Sequence, residues 1–242
     1  MKKFLENKKI FIAGHNGMVG SSLLSYFKNK GFKKIIIEEK KYLDLRNEKQ
    51  VNHFIKIKKP DVIINCAGRV GGILANSTYP VEFLNDNIAI QLNLIKSACQ
   101  NKIKHFINLG SSCIYPKNCK QPMKEKYLLT NELEKTNEAY ALAKIIGLKA
   151  CQFYNEQFKT NYFTLLPCNL YGPNDNFHSK NSHFIPALIK KFVMAKKKKL
   201  KKVEIWGSGK PRREIMHVDD LSSVIFFILK KKILGEKNFS KF

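Results

Sequence analysis

The sequence contains no apolar run long enough to cross a membrane, which takes roughly 20 consecutive apolar residues. Its first residues, Met-Lys-Lys, precede only a short apolar run at Ile10–Ala13 that ends in glycines, so we expect no secretory signal peptide. These two absences predict a protein of the cytoplasm that makes no membrane contact. Repeats are also absent, and the runs of lysine are the only low-complexity segments.

The six cysteines form no Cys-x-x-Cys pair and show no spacing typical of metal ligands. Several of them lie in apolar stretches. This pattern predicts no metal site, and it is typical of a protein that works in a reducing compartment.

Acidic residues are scarce, with 19 Asp and Glu against 44 Lys and Arg and a formal net charge of +25. The excess would suit a polyanion such as nucleic acid, but it would equally suit ordinary solvated surfaces rich in lysine. No signature of an RNA-recognition motif, zinc finger or helix-turn-helix accompanies the charge, which is spread along the chain. We therefore predict no nucleic-acid partner and note that a basic cleft would suit a doubly phosphorylated small substrate.

The chain of 242 residues, 44% of them hydrophobic, is long enough for one large domain or for one domain with a small lobe. Up to residue 173, short apolar strands alternate with helical patterns. This alternation is typical of an α/β fold with a doubly wound parallel sheet and helices on both faces. We predict strands at 9–13, 34–37, 62–65, 104–109 and 162–166, and helices at 21–29, 47–58, 82–101 and 139–159.

Beyond residue 173 the pattern changes. We predict a nucleotide-binding domain at 1–173 and a small, partial substrate-binding lobe at 174–242. The predicted lobe contains a helix from Ser182 to Ala195, a strand at 203–206, a short strand around 216–217, and a final helix that Asp219 or Asp220 would cap.

A glycine-rich turn follows the first predicted strand and opens the first helix. It reads Gly14-His15-Asn16-Gly17-Met18-Val19-Gly20, a G-x-x-G-x-x-G spacing. In this context the first glycine allows a tight turn, the second admits a pyrophosphate, and the third lets helix and strand pack closely. The sequence therefore predicts a dinucleotide site in a fold of Rossmann type.

The end of the second predicted strand leaves the choice of dinucleotide open. Glu38 would suit the ribose hydroxyls of NAD, whereas Lys40 and Lys41 would suit the extra phosphate of NADP. Asp44 either lies near the adenine or caps the following helix. After the third strand, the small residues Cys66-Ala67-Gly68 would let the backbone pass close to a cofactor.

A candidate proton-transfer site follows the fourth strand. Tyr140 and Lys144 are four residues apart on a predicted helix and so share one face, and Ser111 lies at the strand end before them. We expect the lysine charge to lower the pKa of the tyrosine, and the serine hydroxyl to bind the same substrate oxygen.

These motifs resemble the extended short-chain dehydrogenase/reductase superfamily, and within it the GDP-L-fucose synthase family. The resemblance extends over nearly the whole chain through the runs FIAGHNGMVGS, VGGILANSTYP, LGSSCIYPK, QPM, TNEAYALAK, NLYGPNDNFH, NSHFIPALI, WGSGKPRRE and HVDD. Cys113, two residues after Ser111, and the run Asn181-Ser182-His183 separate this family from sugar-nucleotide dehydratases and simple C4 epimerases.

The resemblance implies two reactions on GDP-4-keto-6-deoxy-D-mannose, namely 3,5-epimerisation and NADPH-dependent reduction at C4. It implies Cys113 as the base and His183 as the acid of epimerisation. For the reduction it implies Tyr140 as the proton donor, tuned by Lys144, and Ser111 as a hydrogen-bond donor to the C4 oxygen. It also implies a homodimer formed by the helices at 82–101 and 139–159.

The cofactor and substrate contacts are likewise implied by the resemblance. For NADP they are Gly14, His15, Asn16, Gly17, Met18, Val19, Gly20, Lys40, Asp44, Ala67, Gly68, Leu109, Gly110, Ser111, Ser112, Tyr140, Lys144, Pro167, Asn169, Leu170 and His183. For the GDP-sugar they are Ser112, Cys113, Asn169, Lys191, Trp206 and Arg213. Arg213 suits a diphosphate as a bidentate donor, and Trp206 would either stack on a ring or simply pack.

The chain departs from the family in two places. Asn16 stands where members that prefer NADP carry arginine, and the sequence stops at Phe242 although family members continue, so we expect an incomplete lobe. Two other functions stay open from the sequence: a catalytically idle protein that only binds the cofactor, and a related sugar-nucleotide 4,6-dehydratase. The dehydratase would normally place a carboxylate where this chain has Cys113.

Overall fold

The computed structural model describes residues 7–177, 182–205 and 207–233. Its main sheet has five parallel strands, which are β1 Ile10–Ala13, β2 Ile35–Ile36, β3 Val62–Asn65, β4 His105–Leu109 and β5 Asn161–Leu165. They pair in the order β2-β1-β3-β4-β5. The doubly wound parallel sheet is therefore confirmed, although the second strand is shorter than expected.

Seven α-helices are present in the described residues, and most of the predicted bounds are right to within a few residues. They are α1 Met18–Asn29, α2 Glu48–Lys58, α3 Ile73–Thr78, α4 Pro80–Gln100, α5 Glu138–Phe158, α6 Phe184–Lys197 and α7 Val218–Ile233. The short helix α3 was not predicted. In its first turn the Asn76 backbone N–H donates to the carbonyl oxygen of Gly72. The Asn76 side chain also donates to the carbonyl oxygens of Gly71 and Gly72 and so stabilises the start of the helix.

Alternating side chains of the strands build one core on each face of the sheet. Ile10 and Ile12 face a core shared with α1 and α7, whereas Phe11 and Ala13 face a core shared with α2, α4 and α5. Burial on both faces explains why the strands read as continuous apolar runs rather than as alternating ones.

The chain reverses its direction of winding at β1, which pairs with β2 on one side and with β3 on the other. In open α/β sheets, ligands bind in the crevice at the carboxyl ends of the strands next to such a reversal. The turn after β1 and the segment Cys66-Ala67-Gly68 after β3 both lie at this crevice.

A second, two-stranded sheet lies beyond β5. Its parallel strands are β6 Asn169–Tyr171 and β7 Ile215–His217, with Asn169 opposite Ile215. The prediction of a strand at 203–206 is wrong for residues 203–205, which belong to no ladder of the described chain, and Trp206 lies outside the described residues. The short strand predicted around residues 216–217 is present as β7, and it pairs with β6.

Helix α7 packs on the main sheet, although it falls within the predicted lobe at 174–242. Leu221, Ile225 and Leu229 lie in the same core as Leu23 and Phe27 of α1. The two acidic residues in the first turn of α7 face the positive end of the helix dipole rather than serving as its cap. The division of the chain at residue 173 stays a prediction, and α7 contributes to the core of the first part.

The packing of α7 can be tested with two neighbouring substitutions. Ile225→Ala should lower the free energy of unfolding by about 2–5 kcal/mol because Ile225 is fully buried. Val224→Ala, at a position that is 41% exposed, should lower it by less than about 0.5 kcal/mol. Urea unfolding measures both. Equal effects would show that α7 does not pack as described.

Candidate active site

The glycine turn is shaped by two close backbone approaches. Gly14 has a positive φ of 81°, and a Cβ there would lie 2.7 Å from the Cα and N atoms of Ala67. A Cβ on Gly20 would collide with the carbonyl oxygen of Gly14. Only glycine fits at both positions, so the start of α1 lies directly against the turn after β1, and that turn lies against the segment that follows β3.

The amino terminus of α1 offers a place for an anion. Gly17 is its N-cap, no side chain of the described residues caps it, and its first turn carries no acidic residue. The first N–H groups of a helix lack partners within the helix, and the helix dipole favours negative charge at this end. The residues of the turn therefore fit the diphosphate of a dinucleotide.

The carboxylate of Asp44 is held by a neighbouring guanidinium. Arg46 donates from Nη2 to Asp44 Oδ2 at 2.7 Å and from Nε to Asp44 Oδ1 at 3.0 Å, and these bonds lower the pKa of Asp44 to about 2. Arg46 also bonds to Asp86. The suggestion that Asp44 caps the next helix is wrong, because the side chain of Asn47 accepts from the Gln50 N–H at that position. Lys40 lies exposed nearby.

Tyr140 and Lys144 share one face of α5, as predicted. The Lys144 Nζ atom lies 5.5 Å from the centroid of the Tyr140 ring. It donates to the carbonyl oxygen of Leu109, at the end of β4, over 2.8 Å, and Lys144 is only 4% exposed. On the other side, the ring of Tyr140 meets Phe83 of α4 edge-on. The pair therefore lies at the carboxyl edge of the sheet, beside the glycine turn.

The expected lowering of the Tyr140 pKa is not found in this structure. Burial raises the pKa of Tyr140, and the nearby thiol of Cys113 raises it further. Burial also lowers the pKa of Lys144 to about 8, against small opposing effects of Cys113 and Cys66. The expectation was wrong because it considered only the lysine charge, whereas removal from water affects both groups of the pair.

Cys113 lies within the same group of side chains. Burial raises the pKa of its thiol, while a hydrogen bond with Ser111 and the positive charge of Lys144 act in the opposite direction. The Cys113 N–H also bonds to Ser111 Oγ at 3.4 Å. A second thiol, Cys66, lies near Lys144, and burial raises its pKa to about 12. The structure thus brings Ser111, Cys113, Tyr140 and Lys144 together.

His183 lies on a different element, as the N-cap of α6. The pKa of His183 is lowered by desolvation, which outweighs the opposing charge of Asp175. No hydrogen bond between His183 and Cys113 is found in the described residues. The neighbouring His178 and Asn181 lie outside the described residues.

The predicted substrate contacts also lie in this later part of the chain. Lys191 Nζ donates to the carbonyl oxygen of Glu204 at 3.2 Å, beside a cavity of about 400 Å³ between α6 and residues 200–204. Arg213 is exposed and donates to the carbonyl oxygen of Arg212. Asn169 Nδ2 donates to the carbonyl oxygen of Glu214.

The remaining predicted cofactor residues lie at the carboxyl edge or just beyond it. Gly68 lies beside Lys144, since a Cβ there would be 3.7 Å from Lys144 Nζ. The Ser112 N–H bonds to the carbonyl oxygen of Pro167, while Leu170 packs against the core shared with α1 and α7.

The sequence analysis missed a group of buried amides beneath this edge, at Asn65, Asn87, Gln91 and Asn108. The side chain of Asn87 accepts from the Arg69 N–H and donates to the Arg69 carbonyl oxygen, so it holds the Arg69 backbone at both groups. The available signal was an asparagine near the end of each of two apolar strands, VIIN and HFINL.

A parallel sheet with a nucleotide turn at its switch point, and with a buried Tyr–Lys pair at the same edge, is typical of Rossmann-type oxidoreductases and epimerases. Comparison with known proteins narrows this class. Residues 10–239 match the NAD dependent epimerase/dehydratase family, and the chain belongs to that family.

Similar proteins share most of the chain. GDP-L-fucose synthase 1 of Arabidopsis thaliana is 46% identical over 226 residues, and GDP-L-fucose synthase of Escherichia coli K12 is 43% identical over 226 residues. Each match covers 93% of this chain and 70% of the relative. The structure of a GDP-mannoheptose C4 reductase from Campylobacter jejuni, with NADP bound, is also similar: its TM-score is 0.86 at 36% identity, over 93% of this chain and 74% of that one.

The buried ammonium of Lys144 should destabilise the protein at neutral pH. Its pKa is about 8 in the folded state against 10.5 for an ordinary lysine, so the unfolded chain binds more protons between these values and stability rises with pH there. Lys144→Met should therefore increase the free energy of unfolding at pH 7 by about 1–3 kcal/mol, and the gain should shrink between pH 8 and 10.5.

Urea unfolding of both proteins across pH 6–11 tests this expectation, with Lys49→Met on the exposed side of α2 as the control for loss of one lysine. A Lys144→Met protein that is less stable than the parent at pH 7 would contradict it.

Proposed function

We propose that this protein converts GDP-4-keto-6-deoxy-D-mannose to GDP-L-fucose, by epimerisation at C3 and C5 followed by reduction at C4. The observation that carries the proposal is the cluster of Ser111, Cys113, Tyr140 and Lys144 at the carboxyl edge of the sheet, next to the glycine turn. The names of the two fucose synthase relatives support the choice of substrate.

In the epimerisation, Cys113 takes the proton from C3 and then from C5, each made acidic by the 4-keto group. A thiolate is the active form of the base, and the Lys144 charge and the Ser111 hydroxyl favour it against burial. His183 returns each proton on the other face of the sugar. Desolvation lowers the pKa of His183, so the protonated imidazole gives up its proton readily, while the charge of Asp175 opposes this shift in part.

In the reduction, Tyr140 gives a proton to the C4 oxygen. NADPH, when bound, supplies the hydride. A proton donor must hold its proton until the oxygen becomes basic, and the raised pKa of Tyr140 keeps the phenol protonated at neutral pH. The Lys144 ammonium, 5.5 Å from the ring centroid, favours loss of that proton in the reaction, and Ser111 hydrogen-bonds the C4 oxygen.

We assign NADP rather than NAD as the cofactor. The NADP bound to the similar Campylobacter reductase supports this choice. In this chain, exposed Lys40 lies near the end of β2, where a 2′-phosphate would be recognised. The glycine turn and the free amino terminus of α1 would hold the diphosphate.

The later part of the chain would bind the GDP moiety. Lys191 lies at the cavity between α6 and residues 200–204, which also has Lys198 and Lys202 in its lining. These cations and Arg213 suit a diphosphate. This role agrees with a substrate-binding lobe at 174–242, except that α7 packs on the main sheet.

The first experiment is to incubate the 242-residue chain with GDP-4-keto-6-deoxy-D-mannose in heavy water, without and then with NADPH. We expect deuterium at C3 and C5 without NADPH and GDP-L-fucose with it. Cys113→Ser should abolish deuterium uptake, and Tyr140→Phe should stop reduction but leave uptake intact.

Mass spectrometry and NADPH absorbance follow the two steps, with NADPH binding measured in each variant as the control for folding. Uptake that persists in Cys113→Ser would remove that residue as the base. Cofactor binding without either reaction in the parent protein would instead favour an idle binding protein.

We also propose a homodimer in the cytoplasm. All six cysteines are free, as the thiol base requires. No helix of the described residues is long and apolar enough to span a bilayer.

The apolar face that would form the dimer lies along α5. Leu142, Ile146 and Phe153 expose apolar side chains on this helix, which packs beside α4. A second copy would cover these side chains.

Phe153→Glu should therefore convert the dimer to a monomer, because it would bury a charge in the interface. Sedimentation equilibrium measures the mass. Ile57→Glu, at a position of α2 that is equally exposed, is the control and should leave the dimer intact. A parent protein that sediments as a monomer would refute the assignment.

A further inference from the structure

Three buried side-chain amides form one unbroken chain of hydrogen bonds beneath the catalytic edge. The Ala67 N–H donates to Asn65 Oδ1 at 3.1 Å, and Asn65 Nδ2 donates to Asn108 Oδ1 at 3.0 Å. Asn108 Nδ2 donates to Gln91 Oε1 at 3.0 Å, and Gln91 Nε2 donates to the carbonyl oxygen of Ala143 at 3.0 Å. Each of the three amide side chains belongs to a residue that is at most 1% exposed.

The two ends of this chain lie at the two parts of the candidate active site. Ala67 is the residue against which the backbone of Gly14 packs in the nucleotide turn. Ala143 directly precedes Lys144, whose Nζ donates to the carbonyl oxygen of Leu109, the residue after Asn108. The amides therefore connect the glycine turn with the backbone just before Lys144 and, through the β4 backbone from Asn108 to Leu109, with the carbonyl that holds the Lys144 ammonium.

The direction of every hydrogen bond in the chain is determined by its ends. A backbone N–H can only donate and a carbonyl oxygen can only accept, so the amide of Asn65 must present oxygen to Ala67 and the amide of Gln91 must present nitrogen to Ala143. All the dipoles then point the same way, an arrangement in which hydrogen bonds strengthen one another. Exchanging any amide for an apolar side chain would leave buried partners unpaired.

We propose that Asn65, Asn108 and Gln91 are positioning residues that hold the nucleotide turn and Lys144 in one fixed relative position. The role rests on the proposed function, because it takes Lys144 and the bound cofactor as parts of one reaction. None of the three residues touches the reacting atoms; they act through Ala67 and Ala143. Gln91 is central, since it accepts from Asn108 and also donates to the carbonyl oxygen of Asn87 at 2.9 Å.

Gly147 provides a second way to disturb the same chain without removing an amide. A Cβ at this position would collide with Gln91 Oε1 and would lie 2.9 Å from Asn108 Nδ2. Gly147→Ala would favour the helix by propensity alone, but it would displace Gln91 from Asn108. If the position of Gln91 matters, Gly147→Ala and a direct change of Gln91 should have the same effect on the site.

The test compares Gln91→Met and Gly147→Ala with a control at another pair of amides. In the control pair, Asn101 Nδ2 donates to Asn52 Oδ1 at 2.8 Å, between the C-cap of α4 and helix α2, in the connection that leads to β4. Asn52→Leu breaks that bond away from the carboxyl edge. For each protein we would measure NADPH affinity by fluorescence, kcat of the reduction, KM of the GDP-sugar and Tm, with all assays run well below the lowest Tm.

Gln91→Met and Gly147→Ala should weaken NADPH binding and lower kcat, each by about tenfold, and leave the KM of the GDP-sugar within about twofold. Asn52→Leu should lower Tm without changing the three functional constants. A purely structural role would lower kcat only through the folded fraction, so unchanged NADPH affinity in both site variants would overturn the proposal. If the parent protein binds NADPH but does not turn over, the proposed function fails, and the NADPH affinities alone decide the role of the amides.

Discussion

The burial of one ammonium group is the constraint on which the carboxyl edge of the main sheet depends. Lys144 is almost completely removed from water, and its bond to the Leu109 carbonyl neutralises no charge. No carboxylate of the described residues contributes to its pKa, which burial lowers to about 8. The same burial raises the pKa values of Tyr140 and Cys113. Burial therefore favours the uncharged forms of all three groups, the phenol of Tyr140, the thiol of Cys113 and the amine of Lys144.

The remainder of the fold supports this edge from both faces of the sheet. On one face, α7 packs against α1, and Asp219 accepts a hydrogen bond of 2.6 Å from Ser22. The helix that begins at the nucleotide turn is thus braced by the last described helix of the chain. On the other face, α4 and α5 make the most extensive helix pair among the described helices, and the buried amides link α4 to α5 and to β4 by hydrogen bonds. Because α1 starts at the glycine turn and α5 carries Lys144, a shift of the helices on either face of the sheet would change the distance between the glycine turn and Lys144.

The proposed reaction divides its proton-transfer groups between two regions. Cys113, Tyr140 and Lys144 belong to the carboxyl edge of the main sheet, while His183 begins α6 and Asp175 lies before it. A base and an acid that act on opposite faces of one sugar ring need to come from different sides of the substrate. The cavity beside Lys191, on the same helix as His183, agrees with a substrate that extends from the edge toward α6.

The parallel sheet, the glycine turn and the Tyr140–Lys144 pair could be predicted from the amino-acid sequence, because each depends on local periodicity or on residues a few positions apart. The sequence did not reveal the pairing of Asn169–Tyr171 with Ile215–His217, the return of α7 to the first core, or the chain of amides from Asn65 to Gln91. These depend on contacts between residues far apart in the chain. The pKa values of Tyr140 and Lys144 were decided in the same way: the spacing of the pair is local, but removal from water is a property of the packed structure.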